Sequence, residues 1–129
     1  MQRILNDKCN ADLLSPLTLA FVGDTVFDLY VRERLVCEAN RSVNQLHKEA
    51  VTCVCAAAQA QLICEIMPTL SEKELAVFKR GRNAHTNHIP KNASERDYHY
   101  ATGLETLVGW LYLSGYEERL KEIMSYCKV

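Results

Sequence analysis

The sequence predicts an all-α fold, a helical bundle, and three observations support this class. Apolar residues recur close to the 3.6-residue helical period, serine-based capping signals precede the periodic segments, and no segment alternates apolar and polar residues between hairpin turns. The chain has 129 residues, which favours one domain over residues 1–129 with a core large enough to fold alone.

The first long helix is predicted from Pro16 to about Cys37. Ser15 can cap it, and proline suits the first helical position. Asp24 falls within the apolar stripe of this helix, so its carboxylate is predicted to face inward. Gly23 weakens the helix interior by about 1 kcal/mol relative to alanine, and it can be explained by close helix packing or by close approach of a ligand. The stripe consists of Leu17, Ala20, Phe21, Phe27, Val31 and Leu35.

A second helix is predicted over residues 43–66. Ser42 followed by Gln45 forms a capping box at its start, and Pro68 ends it. A third, short helix begins at another capping box and ends near Arg80, where a glycine is the natural C-terminal residue. This second box is formed by Ser71 and Glu74, and the glycine is Gly81.

The rest of the chain is predicted as a loop followed by two helices. Residues 82–92 show no period and contain a proline, which indicates an exposed loop. The next helix runs from Glu95 to about Leu113, with Ser94 as its cap. The pair Ser114 and Gly115 breaks it before a short amphipathic helix. That last helix carries Leu120, Ile123 and Met124.

The expected location is the cytoplasm. No apolar run approaches the roughly 20 residues that span a bilayer, and the N-terminus lacks the apolar core of a secretion signal. The six cysteines are therefore not expected to form a disulfide framework, and Cys53 and Cys55 do not have a common zinc-site spacing. They are predicted to be small, buried apolar side chains.

Two isolated acids are candidates for a metal site. Asp24 is the only charged residue in the run 13–27, and Glu105 is the only formally charged residue in the run 98–116. Burying an ionised carboxylate without partners costs several kcal/mol, so each acid needs a cation or a donor. Two such acids on inward helix faces offer the oxygen ligands that Mg²⁺ requires. The alternative is that both are structural acids satisfied by hydroxyls or basic side chains.

Positive charge is concentrated in residues 79–91, although the whole chain has a net charge of −1. Basic side chains neutralise phosphates, and asparagines add hydrogen bonds to sugars or base edges, so this segment predicts a nucleic-acid contact. The alternative is a solvated basic loop. His85 and His88 lack companions at metal-site spacing and are predicted as loop surface, while the role of His47 stays open. The candidate RNA-binding residues are Lys79, Arg80, Arg82, Asn83 and Lys91.

Several segments resemble one enzyme family. Residues 19–27 resemble the signature segment of ribonuclease III catalytic domains, and residues 104–113 resemble the acidic helix near the end of that domain. Further segments resemble the Mini-III subgroup of the family, and these are residues 44–47, 56–60, 79–84 and 90–93. Because these motifs occur in the family's order across residues 14–120, the chain is identified as a member of the ribonuclease III family.

This resemblance implies an all-α catalytic domain that works as a homodimer, and the apolar neighbourhood of residues 21–27 is a candidate for the dimer contact. It implies Mg²⁺-dependent hydrolysis of double-stranded RNA to 5′-phosphomonoesters, each subunit cutting one strand, with Asp24 and Glu105 as catalytic and metal-binding residues. No separate double-stranded-RNA-binding domain is expected. The usual task of the subgroup is maturation of the large-subunit (23S) ribosomal RNA precursor, sometimes helped by a large-subunit ribosomal protein.

The chain departs from the full-length family pattern at two positions. The acids expected four residues before Asp24 and three before Glu105 are Ala20 and Thr102. These departures leave the number of metal ions open, and Asp28, one helical turn after Asp24, is a candidate to assist through a water. Two other functions also stay open. One is a non-catalytic duplex-RNA-binding dimer in ribosome assembly, and the other is a helical interaction module.

Overall fold

The computed structural model describes residues 1–84, 89, 91 and 94–129. These residues form six α-helices and two short 3-10 turns, Ala11–Leu13 and Met67–Thr69, and none of them belongs to a strand. The predicted all-α class is therefore confirmed. The helices are α1 (Pro16–Glu38), α2 (Val43–Val54), α3 (Ala56–Ile66), α4 (Glu72–Arg82), α5 (Glu95–Leu113) and α6 (Glu117–Met124).

Serine caps begin four of the helices, as the sequence predicts. Each serine hydroxyl accepts a hydrogen bond from the backbone N–H three residues later, which satisfies one of the donors left free at a helix start. The reciprocal capping box is complete at Ser71 and Glu74, where the Ser71 N–H also donates to the Glu74 carboxylate at 2.8 Å. The capping serines are Ser15, Ser42, Ser71 and Ser94.

Helix α5 lies at the centre of the bundle and packs against α1, α3, α4 and α6. Apart from Glu105, its residues from Ala101 to Tyr112 are buried and mostly apolar or small, so the helix can be covered from nearly every direction. Phe78 of α4 packs on Gly103, whose missing side chain leaves the space for the ring. The core around α5 fixes where the Glu105 side chain can point.

The single helix predicted over residues 43–66 is wrong. The chain breaks at Cys55, whose backbone is extended (φ −66°, ψ 157°), and α2 and α3 meet at a bend of 48°. The break keeps its hydrogen bonds, because Cys55 N–H donates to Val51 and its carbonyl accepts from Gln59. The helix-favouring residues 56–60, which follow Cys55, and the absence of glycine or proline at the break made a continuous helix the expected structure.

Gly81 does not end the third helix of the prediction. It lies inside α4, which continues to Arg82 and is capped by Asn83. A Cβ on Gly81 would meet the Thr106 side chain at 2.2 Å, so its smallness serves helix packing and not chain reversal. The remainder of the predicted loop cannot be compared, since residues 85–88, 90 and 92–93, with His85 and His88, lie outside the described residues.

The prediction of six buried cysteines is wrong, although all six are free. Only Cys127 is buried, and burial raises the pKa of its thiol to about 11. Within the described ranges, no single helix is long and apolar enough to cross a membrane. The bent pair Val43–Val54 and Ala56–Thr69 meets the length and composition criteria only when both helices are counted together.

Candidate active site

The site is built where α1 and α5 cross with their backbones in contact. A Cβ on Gly23 would lie 1.7 Å from the Glu105 carbonyl oxygen, and a Cβ on Gly109 would lie 2.0 Å from the Leu19 carbonyl oxygen. Only glycine permits this approach at both positions. Of the two explanations for Gly23, the structure therefore supports close helix packing, and this packing places Asp24 beside Glu105.

The carboxyl groups of Asp24 and Glu105 share a hydrogen bond, and the Gln59 amide of α3 also contacts Glu105. Burial raises the pKa of Glu105 to about 9, and the hydrogen bond and negative charge of Asp24 act in the same direction, while Gln59 partly opposes them. The raised pKa of Glu105 favours a proton on the pair when no cation is bound. A divalent cation would replace that proton, so two adjacent carboxylate oxygens suit a hard cation such as Mg²⁺.

The two acids differ in exposure, which corrects part of the prediction. Glu105 is half-buried, but Asp24 is exposed, so the predicted inward orientation of Asp24 is wrong. The face that α1 buries runs through Leu19, Gly23 and Phe27, and Asp24 lies at its edge. Two members of the predicted stripe, Leu17 and Phe21, are also exposed. The sequence did not separate the two faces because both are apolar.

The positions around the pair add no third acid. Ala20 is buried, and the Thr102 hydroxyl donates to the Tyr98 carbonyl at 3.0 Å. Asp28 forms an ion pair with Arg32 at 3.1 Å and does not join the two acids. No cluster of three or more His, Cys, Asp or Glu side chains able to hold an ion occurs in the part of the chain that the structure describes. The site thus consists of one carboxylate pair with a supporting amide.

Gln59 is the residue of this site that the sequence prediction missed. It is 2% exposed and lies on the buried face of α3 with Leu62, Ile63 and Ile66. The available signal was its position, a polar side chain in register with an otherwise apolar helical face.

Four of the five predicted RNA-binding residues lie at the end of α4, and the fifth, Lys91, lies beyond it. Lys79 and Arg80 are exposed, whereas Arg82 is half-buried, with its guanidinium carbon 5.7 Å from the centre of the Phe78 ring. Asn83 is exposed and accepts a hydrogen bond from Arg82 Nε at 3.1 Å. Lys91 is exposed. The first three cations belong to a helix and not to a loop, and they also suit the negative end of the α4 dipole.

This basic end of α4 adjoins both helices of the acid pair. Gly81 packs against Thr106, the residue after Glu105, and Arg80 donates a long hydrogen bond of 3.5 Å to the Leu14 carbonyl just before α1. The basic end of α4 is therefore packed against α5 next to Glu105 in the chain, with Arg80 near the start of α1.

An apolar strip of the surface borders the acid pair on α1. Phe21 is 81% exposed and Leu17 is 42% exposed, one helical turn apart, and Leu13 continues the strip before the helix. Asp24 follows at the next turn. Large exposed apolar side chains grouped in this way mark interaction surfaces.

Comparison with known proteins identifies the family. The Ribonuclease III domain family matches residues 17–116. The chain is 50% identical over 111 residues to Mini-ribonuclease 3 of Thermoanaerobacter sp., covering 86% of this chain and 78% of that protein. It is also 50% identical over 113 residues to Mini-ribonuclease 3 of Brevibacillus brevis, covering 88% and 84%.

A crystal structure of a Fusobacterium nucleatum protein has the same fold, with a TM-score of 0.81, 30% identity and coverage of 88% of this chain and 90% of that one. The sequence resemblance is thus confirmed. The chain belongs to the ribonuclease III family of endoribonucleases, in its Mini-ribonuclease 3 branch.

Proposed function

We propose that this chain is an Mg²⁺-dependent endonuclease that cleaves double-stranded RNA, with Asp24 and Glu105 as its catalytic, metal-binding carboxylates. The observation that carries the proposal is the contact between these two carboxyl groups from separate helices. Keeping two acids in contact is unfavourable for folding unless a cation or proton lies between them, so the arrangement is best explained by a ligand that the pair binds.

When bound, the ion would supply an acidified water for attack on the phosphate and would offset negative charge that develops on the phosphate oxygens. The chain's own groups orient this chemistry. The glycine contacts at Gly23 and Gly109 fix the spacing of α1 and α5. Asp24 is exposed, so of the two carboxylates it is the one placed to face the bound RNA. No side-chain nucleophile is required.

The basic end of α4 is proposed to hold the RNA backbone. Lys79, Arg80 and Arg82 supply positive charge in the last turn of α4, and Asn83 adds a polar contact. The deep groove of duplex RNA is closed to side chains, so recognition rests on A-form shape, phosphates and 2′-hydroxyls. Lys91 is proposed to extend this surface.

Dimerisation is proposed through the apolar strip that Leu13, Leu17 and Phe21 form. Burying these side chains against a second copy would remove large apolar groups from water. Since Asp24 borders the strip, such a dimer brings two acid pairs to one surface, one for each strand of a duplex.

A second candidate function is a duplex-RNA-binding dimer without cleavage, acting in ribosome assembly. It is favoured by the substitution of Ala20 and Thr102 for acids of the full-length pattern, which leaves one carboxylate pair among the described residues. An end-labelled RNA duplex and a matching single strand, each incubated with the protein with and without Mg²⁺, separate the two functions. Cleavage of the duplex only when Mg²⁺ is present supports the nuclease, and a gel shift without cleavage supports the binder.

The physiological substrate is proposed to be the 23S ribosomal RNA precursor, processed in the cytoplasm with help from a large-subunit ribosomal protein. The support is the resemblance of this chain to the Mini-III subgroup. Cells that lack the protein should accumulate the uncleaved precursor, which primer extension at the RNA ends would detect, and the purified protein should trim that precursor. Normal RNA ends in such cells would contradict this substrate.

A further inference from the structure

One buried polar side chain of the core is directed at the acid pair. The buried polar or charged side chains among the described residues are Gln59, Glu74, Thr102 and Thr106. Glu74 pairs with an arginine of α6, and both threonines donate to backbone carbonyls. The Gln59 amide contacts the Glu105 carboxylate instead. Three of these groups thus serve the fold, and the fourth serves the site.

The chemistry of an amide suits this position. A buried amide without a partner destabilises the fold, so a position beside the Glu105 carboxylate, to which its N–H can donate, suits Gln59. Lysine or arginine in its place would neutralise the carboxylate and compete with a cation, whereas the neutral amide N–H fixes the orientation of the carboxylate and leaves its charge available. Carboxylates that hold metals are commonly oriented by such hydrogen bonds.

We propose that Gln59 is a positioning residue, whose amide N–H holds the Glu105 carboxylate in the orientation that faces Asp24 and a divalent cation. This inference rests on the proposed function, because it assigns Gln59 to the cation site of the nuclease. The proposed role of Gln59 is in binding the ion and not in stabilising the fold, so its effects on ion affinity and on melting temperature can be measured separately.

The test is direct binding of Mn²⁺, a spectroscopically visible substitute for Mg²⁺, to the metal-free protein, measured by electron paramagnetic resonance. Gln59→Met keeps the length of the side chain and removes the donor. We expect its Mn²⁺ dissociation constant to rise about 10- to 100-fold, with a melting temperature in the absence of metal equal to or above that of the wild type. Gln61→Met, an exposed position on the same helix, is the matched control and should change neither quantity.

The outcomes distinguish the proposed role of Gln59 from the proposed nuclease function on which it rests. A wild-type protein that binds no Mn²⁺ overturns both. A wild type that binds Mn²⁺ with Gln59→Met binding equally well overturns the role of Gln59 alone. A variant with a lowered melting temperature but unchanged Mn²⁺ affinity shows a purely structural residue. If Gln59→Met does not fold, Gln59→Leu is measured in the same way, and failure of both to fold also overturns the inference.

Discussion

The α-carbon of Gly23 packs directly against the backbone of Glu105. A methyl group at Gly23 would lie 1.7 Å from the Glu105 carbonyl oxygen and 2.8 Å from the Gly109 nitrogen. Because backbone atoms cannot rotate away as a side chain can, any larger residue must push α1 and α5 apart. This contact sets the distance between the Asp24 and Glu105 carboxyl groups, so it links the stability of the bundle to the geometry of the site.

Gly23→Ala should destabilise the protein and weaken the site together. Overpacking a tight contact typically costs about 1–3 kcal/mol, and with backbone on the opposite side we expect about 3 kcal/mol and a fall in melting temperature of roughly 10 °C. Thermal unfolding followed by circular dichroism measures the change. The control is Glu33→Ala, at an exposed position of the same helix, which should shift the transition very little. An unchanged melting temperature for Gly23→Ala would contradict the described crossing.

The pH dependence of the metal-free protein should report the acid pair. The pKa of Glu105 is raised from 4.5 to about 9 in the folded state. Below pH 4.5 folded and unfolded chains both hold this proton, and between pH 4.5 and 9 only the folded chain does, so this contribution to stability is lost as pH rises. Unfolding measured across roughly pH 5–9 should show the decline, and Glu105→Gln should flatten it and raise the melting temperature near pH 8. A Glu105→Gln variant with the wild-type slope would argue against the pairing.

Phe21→Asp should convert a dimer into a monomer without unfolding it. Phe21 is exposed in the single chain, so a charge there is tolerated by the fold but cannot be buried against a second copy. Sedimentation velocity at several protein concentrations measures the mass, and circular dichroism checks the helices. Val51→Asp, at an exposed apolar position on α2, should remain dimeric. A wild type that is monomeric at all concentrations would refute dimerisation through this strip.

Lys79→Ala with Arg80→Ala should weaken RNA binding and its salt dependence. Each basic side chain that no longer neutralises a phosphate should reduce the slope of log affinity against log salt by about one. Arg82 is left in place because its stacking on Phe78 also supports the fold. Fluorescence anisotropy with a labelled duplex, in a cleavage-blocked Asp24→Asn background, gives the affinities between about 50 and 200 mM salt. If the slope of log affinity against log salt is the same before and after the double substitution, the end of α4 does not contact the RNA.

The sequence predicted helix starts better than helix breaks. A serine three residues before an acid or amide acts locally, so the starts at Ser42, Ser71 and Ser94 follow from short-range hydrogen bonds. The interior position of Gly81 depends on packing against Thr106 of α5, which no local pattern encodes, and the break at Cys55 has no glycine or proline to indicate it.

For the site, the isolation of Asp24 and Glu105 in apolar runs was sufficient to select them, because uncompensated acids are rare in such runs. Their exposures were not predictable, since α1 is apolar on its buried face and on the strip that contains Phe21. Gln59 was overlooked because its role depends on a contact between α3 and α5 that only the folded chain forms.

The most direct test of the central claim compares cleavage of an RNA duplex by Asp24→Asn and Asp28→Asn in the presence of Mg²⁺. The two acids lie one helical turn apart, but only Asp24 contacts Glu105, whereas Asp28 pairs with Arg32. We predict that Asp24→Asn nearly abolishes cleavage while still binding the duplex, and that Asp28→Asn cleaves at close to the wild-type rate. Cleavage by Asp24→Asn at the wild-type rate would contradict the assignment of the acid pair as the catalytic site.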